Sequence, residues 1–318
     1  MKIVIPGGTG QVGTVLARAF HAAGDDVTVL TRKSAPPAPW RSVAWDGRSL
    51  GPWTRWMEEA EVVINLCGRS VDCRYTAANR RAIVDSRVAS TRIIGQAIAQ
   101  ATQAPRVWLQ ASTATIYAHR YDAPNDEATG IIGGQEPGAP ETWRFSIQVA
   151  RQWEEAAREV ALPGTRLILM RSAMIMSPDR GGVFDVLSRL VRAGLGGAAG
   201  DGRQFVSWIH DLDFIEAVKW LIGHDELAGP VNLCSPHPLP NREFMKTLRH
   251  AWKIPIGLPT PGWLLELGAA IIRTESELIL KSRRVTPTRL LESGFRFTFP
   301  HWPSAAGDLC SRRRQIRA

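Results

Sequence analysis

The residues with most chemistry in their spacing stand at the N-terminus. After the apolar run Lys2-Ile3-Val4-Ile5-Pro6 the chain reads Gly7-Gly8-Thr9-Gly10-Gln11-Val12-Gly13, and the helical run Val15-Leu16-Ala17-Arg18-Ala19-Phe20 follows at once. One glycine tolerates a tight turn, a second lets the backbone approach a pyrophosphate, and a third lets the helix pack on the strand. The helix N-terminus then offers free N–H groups and the positive end of its dipole to phosphates. A glycine pattern alone is a weak sign; its place between a strand and a helix gives it meaning. Gly7, Thr9, Gly10, Gln11, Val12 and Gly13 are therefore the candidate phosphate-binding residues, the plain alternative being a glycine-rich turn with no ligand.

A second β-branched run ends Val27-Thr28-Val29-Leu30-Thr31-Arg32. A fold that prefers NAD places an acidic residue here for the ribose hydroxyls, whereas an arginine accommodates a 2′-phosphate. Thr31 and Arg32 hold the position and no carboxylate does, which favours NADP(H). The alternative for Arg32 is a solvated loop charge.

These residues need a scaffold, and the chain supplies one by alternation. Strands are expected over residues 2–6, 26–31, 62–66, 106–111, 166–171 and 231–233, with helices over 11–23, 53–59, 77–101, 145–160, 183–192 and 212–223. That alternation predicts an α/β fold, a Rossmann-type doubly wound parallel sheet covered by helices on both faces. Pro36, Pro37 and Pro39 make 34–40 an extended loop, and glycines make 194–202 a flexible connection near the mouth of a site. From about Pro236 the strands stop and helices over 241–252 and 263–273 take over. The expected organisation is a dinucleotide-binding domain over 1–235 and a small, mostly helical domain over 236–318 that covers the cleft.

Composition excludes several function classes. The chain has 318 residues, is 44% hydrophobic and carries a formal charge of +9, but its arginines are scattered and form no basic stripe with interleaved aromatics, so no nucleic acid partner is expected. Arg312-Arg313-Arg314 is the one dense cluster and reads as a solvated tail. Cys67, Cys73, Cys234 and Cys310 show neither metal-ligand spacing nor the density of a disulfide framework, so no metal is expected and a reduced, cytoplasmic setting fits. The N-terminal apolar run is broken too early for a signal peptide, and the apolar stretch 263–272 is interrupted by Glu266 and too short to cross a bilayer. A soluble protein with no membrane partner is expected.

The glycine turn, Val63-Ile64-Asn65-Leu66-Cys67-Gly68, Asp85-Ser86-Arg87 with Ser90-Thr91, Trp153-Glu154, Gly202-Arg203-Gln204 before Ser207-Trp208-Ile209-His210, and Arg289-Leu290-Leu291-Glu292-Ser293-Gly294-Phe295 together resemble the extended short-chain dehydrogenases/reductases of the NAD(P)-dependent epimerase/dehydratase superfamily. They look most like its atypical epimerase-like branch, which has a small C-terminal domain of unknown function. The resemblance covers nearly the whole chain. It implies that Leu66, Cys67 and Gly68 end the strand beside the adenosine end of the cofactor, and that Arg87 stands where ordinary epimerases carry an asparagine near the dinucleotide and can reach a phosphate. An exposed arginine on a long helix is the alternative for Arg87.

Ordinary members of the superfamily pair a Ser/Thr with a Tyr and a Lys four residues later, the tyrosine acting as acid/base. Thr113, in Ala111-Ser112-Thr113-Ala114-Thr115-Ile116-Tyr117, fits the hydroxyl position. The Tyr-x-x-x-Lys pair is missing: with Glu154 as anchor, Ser146 and Ala150 take its places, and a shift of one offers Ile147 and Arg151. Tyr117 is the candidate substitute phenol and His210 a candidate titrating group, each against the alternative of a buried structural residue. Arg203, Gln204 and Trp208 are candidates for an anionic or aromatic ligand by analogy of position only. The apolar stretch Arg171-Ser172-Ala173-Met174-Ile175-Met176 argues against carrying over a UDP-sugar substrate. The resemblance implies an NADP(H)-binding, epimerase-like oxidoreductase of a small molecule not identified by the sequence; a non-catalytic NADPH-binding redox sensor or regulatory protein is the second reading. Residues 77–101 and 145–160 are the expected faces of a homodimer, by analogy with related folds.

Overall fold

A strand covered on both faces needs an almost unbroken apolar run, and β1 (Lys2–Pro6) is buried in all but its first residue. In the computed structural model, which describes residues 1–32, 37–160, 162–262 and 277–316, β1 sits inside a seven-stranded parallel sheet. The other strands are β2 (Asp26–Thr31), β3 (Arg41–Ala44), β4 (Val62–Asn65), β5 (Val107–Thr113), β6 (Arg166–Ser172) and β10 (Gly229–Leu233), in the order β10-β6-β5-β4-β1-β2-β3. Short pairs flank it: β7 (Met174–Met176) with β9 (Trp208–His210), and β8 (Phe205–Val206) with β11 (Leu239–Pro240).

The two-residue period of the strands feeds two cores. Ile3 and Ile5 point to one face, where α1 (Gln11–Ala22) and α5 (Asp211–Gly223) contribute Leu16, Phe20, Phe214 and Leu221. Val4 points to the other, against Ile94 and Ile98 of α2 (Ala77–Gln100) and Ala157 of α3 (Glu141–Arg158). The chain leaves β1 for β2 on one side and returns to β4 on the other. The strand order therefore reverses at β1/β4, and the crevice beyond their C-terminal ends is the place such sheets offer a ligand.

A third core lies beyond the sheet, where Trp302 of α7 (Trp302–Gln315) stacks on Phe244 of α6 (Asn241–Trp252) with ring centroids 4.1 Å apart, beside Phe184 of α4 (Val183–Arg192). Residues 281–286 run back to the main sheet. Lys281 Nζ donates to the Thr115 carbonyl at 2.7 Å, and the N–H groups of Ser282 and Thr286 donate to His119 Nδ1 at 2.8 Å and to the Asn125 carbonyl at 3.0 Å.

Four expectations change. The strand β3 was not anticipated, because an edge strand reading Arg-Ser-Val-Ala, three of its four residues exposed, carries no apolar run. In place of a helix over 53–59, Pro52–Trp56 forms a 3₁₀ turn. The segment 194–202 is bonded rather than loose: the N–H groups of Gly197 and Gly200 donate to Leu258 and Thr260, and that of Ala199 to Asn241 Oδ1. Arg312 and Arg313 are no solvated tail, since Arg312 clasps Asp211 with both terminal nitrogens at 2.8 Å and Arg313, 2% exposed, pairs with buried Asp185. The helix expected over 263–273 and residues 34–36 of the proline loop lie outside the described residues.

Glu154 of α3, 1% exposed, ties that helix to the sheet. It takes Arg171 Nε at 2.8 Å and a second nitrogen of the same guanidinium at 2.9 Å, and Ser112 Oγ at 2.7 Å. Burial pushes the carboxyl up, but the hydrogen bonds and charge of Arg171 outweigh burial and hold it below its ordinary value of 4.5. Glu154→Ala leaves a buried guanidinium without its carboxylate and is expected to cost about 3–5 kcal/mol, read as a lowered urea midpoint. Because the folded carboxyl sits below its unfolded value, its contribution is complete above pH 4.5 and is lost as pH falls through the lowered folded value. Glu154→Gln should lack that part of the acid limb.

Candidate functional site

At the first turn, backbone runs against backbone. Gly7 adopts φ +74°, and a Cβ there would lie 2.9 Å from Cys67 N and Cα at the end of β4. At Gly13 a Cβ would meet Gly8 Cα at 2.4 Å. Both positions demand glycine to close the fold itself. Gly10 differs: the nearest heavy atom to its Cβ position is Gly7 O at 3.9 Å, so the space in front of it is open. It is the N-cap of α1, contributes no side chain to that cap, and is followed by no acidic residue in the first turn. The N–H groups of the first turn are thus left for something outside the helix.

In front of this turn opens a cleft of about 450 Å³. Gly7, Thr9 and Gly10 form its floor, Thr31 and Arg32 one wall, and Leu66, Cys67 and Gly68 the other. The wall at β4 is set by a buried amide relay. Asn65 Nδ2 donates to Gln110 Oε1 at 2.8 Å, and Asn65 Oδ1 accepts from Cys67 N at 3.0 Å, which turns the chain out of the strand. Burial pushes the Cys67 thiol up to about 12, so it stays protonated near neutral pH.

The cleft also holds residues that sequence reasoning missed. Arg48 and Arg69 join Arg32 along its walls, Arg69 with one guanidinium nitrogen donating to Asn79 Oδ1 at 2.8 Å, and Asp85, Ser86 and Ser90 of α2 line it too. Asp46 lies there too, but its carboxylate is occupied by its own turn: it accepts from Ser49 Oγ and from the N–H groups of Arg48 at 2.8 Å and Ser49 at 2.9 Å, which hold it down at about 2. The signal was Trp45-Asp46-Gly47-Arg48, a turn sequence whose role depends on the unanticipated β3 before it.

Arg87 marks the inner end. Its Cζ lies 3.1 Å from the Cβ position of Gly68, while its guanidinium stacks 4.9 Å from the Trp153 ring and donates to the carbonyls of Arg69 and Ile83. Burial without a carboxylate partner pushes it down to about 10. Beyond it is a second cavity of about 110 Å³, lined by Arg87, Thr113, Thr115, Tyr75 and Arg283 and by Ser146, Val149 and Ala150 of α3. The register is thereby decided: Ser146 and Ala150 face the cavity, whereas Ile147 is buried behind Gly133 and Arg151 points to solvent.

Residues 3–234 match the model of the NAD dependent epimerase/dehydratase family, and residues 260–309 match that of a domain of unknown function, DUF1731. The chain belongs to the NAD dependent epimerase/dehydratase family. Epimerase family protein SDR39U1 of Bos taurus is 30% identical over 315 residues, which cover 97% of this chain and 99% of the relative. Epimerase family protein SERP0438 of Staphylococcus epidermidis is 30% identical over 308 residues, covering 97% and 98%. Among solved structures, human epimerase family protein SDR39U1 (isoform 2), crystallised with NADPH, superposes with a TM-score of 0.84 at 26% identity over 98% of this chain and 99% of that one. MoeE5 in complex with UDP-glucose and NAD, at 17% identity and a TM-score of 0.73 over 99% of this chain and all of that one, shares the fold alone.

Several residues expected at the site of this epimerase-family chain are placed elsewhere. Gln11 turns its side chain to Gly182, Val12 packs against the core, and neither lines the cleft through its side chain. Tyr117 is not the substitute phenol. It is 2% exposed, donates to Asn232 Oδ1 at 2.9 Å and accepts from Arg171 at 3.0 Å, so its hydroxyl is used in holding β5, β6 and β10 together. His210 is fully buried as the N-cap of α5; its Nδ1 accepts from Leu212 N, its Nε2 faces Asp308 at 3.0 Å, and burial lowers its pKa. Trp208 is in the third core, Gln204 bonds the Ala199 and Ile279 carbonyls, and Arg203 lies over the Tyr121 ring.

The two kinds of glycine can be separated by mutation. Gly10→Val should fold with a melting temperature close to wild type, yet lose dinucleotide affinity by at least about tenfold (~1.4 kcal/mol). Gly13→Val should fail earlier, with a lowered melting temperature by calorimetry.

Proposed function

We propose that this chain binds NADP(H) in the first cleft and works as an oxidoreductase or epimerase-like enzyme on a small molecule held in the second cavity. The observation that carries the cofactor assignment is the gathering of Arg32, Arg48 and Arg69 along the cleft against two carboxylates, Asp46, which is consumed by its own turn, and Asp85 on α2. A ribose with free hydroxyls wants an acceptor there; a 2′-phosphate wants guanidinium donors. The open space before Gly10, bounded by first-turn N–H groups, fits a pyrophosphate. The human relative crystallised with NADPH supports the same choice.

When bound, the nicotinamide supplies or accepts a hydride. Arg32 and Arg48 hold the adenosine end, Leu66 to Gly68 form the wall beside it, and Arg87 stands between the cleft and the second cavity. The shortage of Tyr-x-x-x-Lys, with Ser146 and Ala150 in its place, favours a second reading, a non-catalytic NADPH-binding sensor. That protein would bind the dinucleotide with no turnover of any carbonyl substrate.

Titration of cofactor-stripped protein with NADPH and with NADH, followed by tryptophan quenching, tests the assignment. NADPH should bind about 10- to 100-fold tighter, the range of one charge-assisted hydrogen bond, and Arg32→Ala should erase most of that preference while leaving NADH affinity almost unchanged. Equal affinity for both dinucleotides in wild type would sink the 2′-phosphate assignment; binding of neither would sink the cofactor reading.

A further inference from the structure

The second cavity has hydroxyls on three sides, and their chemistry is unequal. Thr113 Oγ1 accepts from Thr115 N at 3.2 Å, and Thr115 Oγ1 accepts from Arg283 Nε at 3.1 Å. Serine and threonine hydroxyls are too weakly acidic to exchange a proton near neutrality, and guanidinium groups never release theirs. Tyr75 brings a phenol, whose ordinary value of about 10 suits a general acid. Its hydroxyl lies 3.3 Å from Ser146 Oγ, the residue that stands where the family's usual tyrosine is missing.

The phenol reaches that point from a different element. Tyr75 precedes α2, where Arg80 Nε holds its carbonyl at 2.9 Å, and its ring is 8% exposed, edge-on to Phe145 with centroids 4.9 Å apart. A ring so packed delivers its hydroxyl to one place. Arg87, which lines the same cavity as Tyr75, supplies a fixed positive charge where Ala150 stands in place of the usual lysine. The rest of the lining is Val71, Ile83, Phe145, Val149 and Trp153. A cavity of about 110 Å³ fits a compact carbonyl compound and is small for a sugar nucleotide.

We propose that Tyr75 is the catalytic acid/base of this chain, exchanging a proton at its phenolic oxygen with the carbonyl oxygen of a compact ketone or aldehyde. The inference rests on the cofactor reading above. In the reductive direction a C–H bond forms at the carbonyl carbon with the hydride of bound NADPH, which leaves as NADP⁺, while the carbonyl π pair takes the Tyr75 proton. The phenolate then stands between Arg87 and the Ser146 hydroxyl until solvent reprotonates it.

Tyr75→Phe tests this with three measurements: NADPH affinity, the calorimetric affinity of benzamide for the NADPH-saturated protein, and reduction of 4-nitrobenzaldehyde. Benzamide offers a carbonyl that cannot be reduced, so its binding reads the hydroxyl without turnover. NADPH affinity should stay within about twofold, benzamide affinity should fall about fivefold with the loss of one hydrogen bond, and any reduction should fall about 10²- to 10⁴-fold. If wild type binds NADPH but benzamide binds wild type and Tyr75→Phe alike, or neither, the Tyr75 assignment is overturned and the cofactor reading stands. If wild type fails to bind NADPH, the cofactor reading falls first and this inference with it.

Discussion

One buried ion pair decides which residues of α3 meet the cleft. Glu154 and Arg171 are both almost wholly withdrawn from water, where a charge is tolerated only with its partner in place. The pair fixes both the axial position and the rotation of α3 against β5 and β6. With Glu154 pointing at the sheet, the residues one and two turns earlier, Ala150 and Ser146, must point into the second cavity. The same guanidinium holds the Tyr117 hydroxyl, so the interaction that orients the candidate site also removes from it the phenol that chain position suggested.

The cleft and the cavity use different physics. In the cleft the protein offers backbone: a turn whose Gly7 has no room for a Cβ, a strand end turned by an amide relay, and the first N–H groups of α1. Guanidinium groups at its rim supply charge without touching that geometry. In the cavity the protein offers side chains with fixed rings, Tyr75 on Phe145 and Arg87 on Trp153. Arg87 belongs to both, its Cζ close against Gly68 and its guanidinium in the cavity wall, and its carbonyl and ring partners leave its charge unneutralised. That placement sets one fixed positive charge between the cleft and the cavity.

The C-terminal segment completes the arrangement. Lys281 and Arg283 are anchored on Thr115 at the end of β5, which places Arg283 in the cavity wall with residues from α2 and α3. Arg312 and Arg313, adjacent in a run that looks like a basic tail, instead lock α7 to α5 and α4 through Asp211 and Asp185. Net charge therefore overstates what this surface offers to polyanions, since part of it is spent inside the fold.

How much of this was legible follows from range. The glycine turn, the strands with unbroken apolar runs, and the absent carboxylate after β2 are local patterns, each set by neighbours in the chain, and the sequence alone determined the doubly wound sheet and the place of its ligand crevice. It also determined that the usual tyrosine and lysine are missing, because identity at a position needs no structure. Only the tertiary structure decided that Ser146 and Ala150 face the cavity while Ile147 and Arg151 do not, since one residue turns a helix by about 100° and the ion pair that chooses the rotation joins residues 17 apart. Tyr75 and Ser146 are 71 apart and Thr115 and Arg283 are 168 apart; no local pattern relates them. Edge strand β3, whose residues are mostly exposed, carries almost no hydrophobic signature, and so the turn that brings Arg48 to the cleft became visible only once the sheet had formed around it.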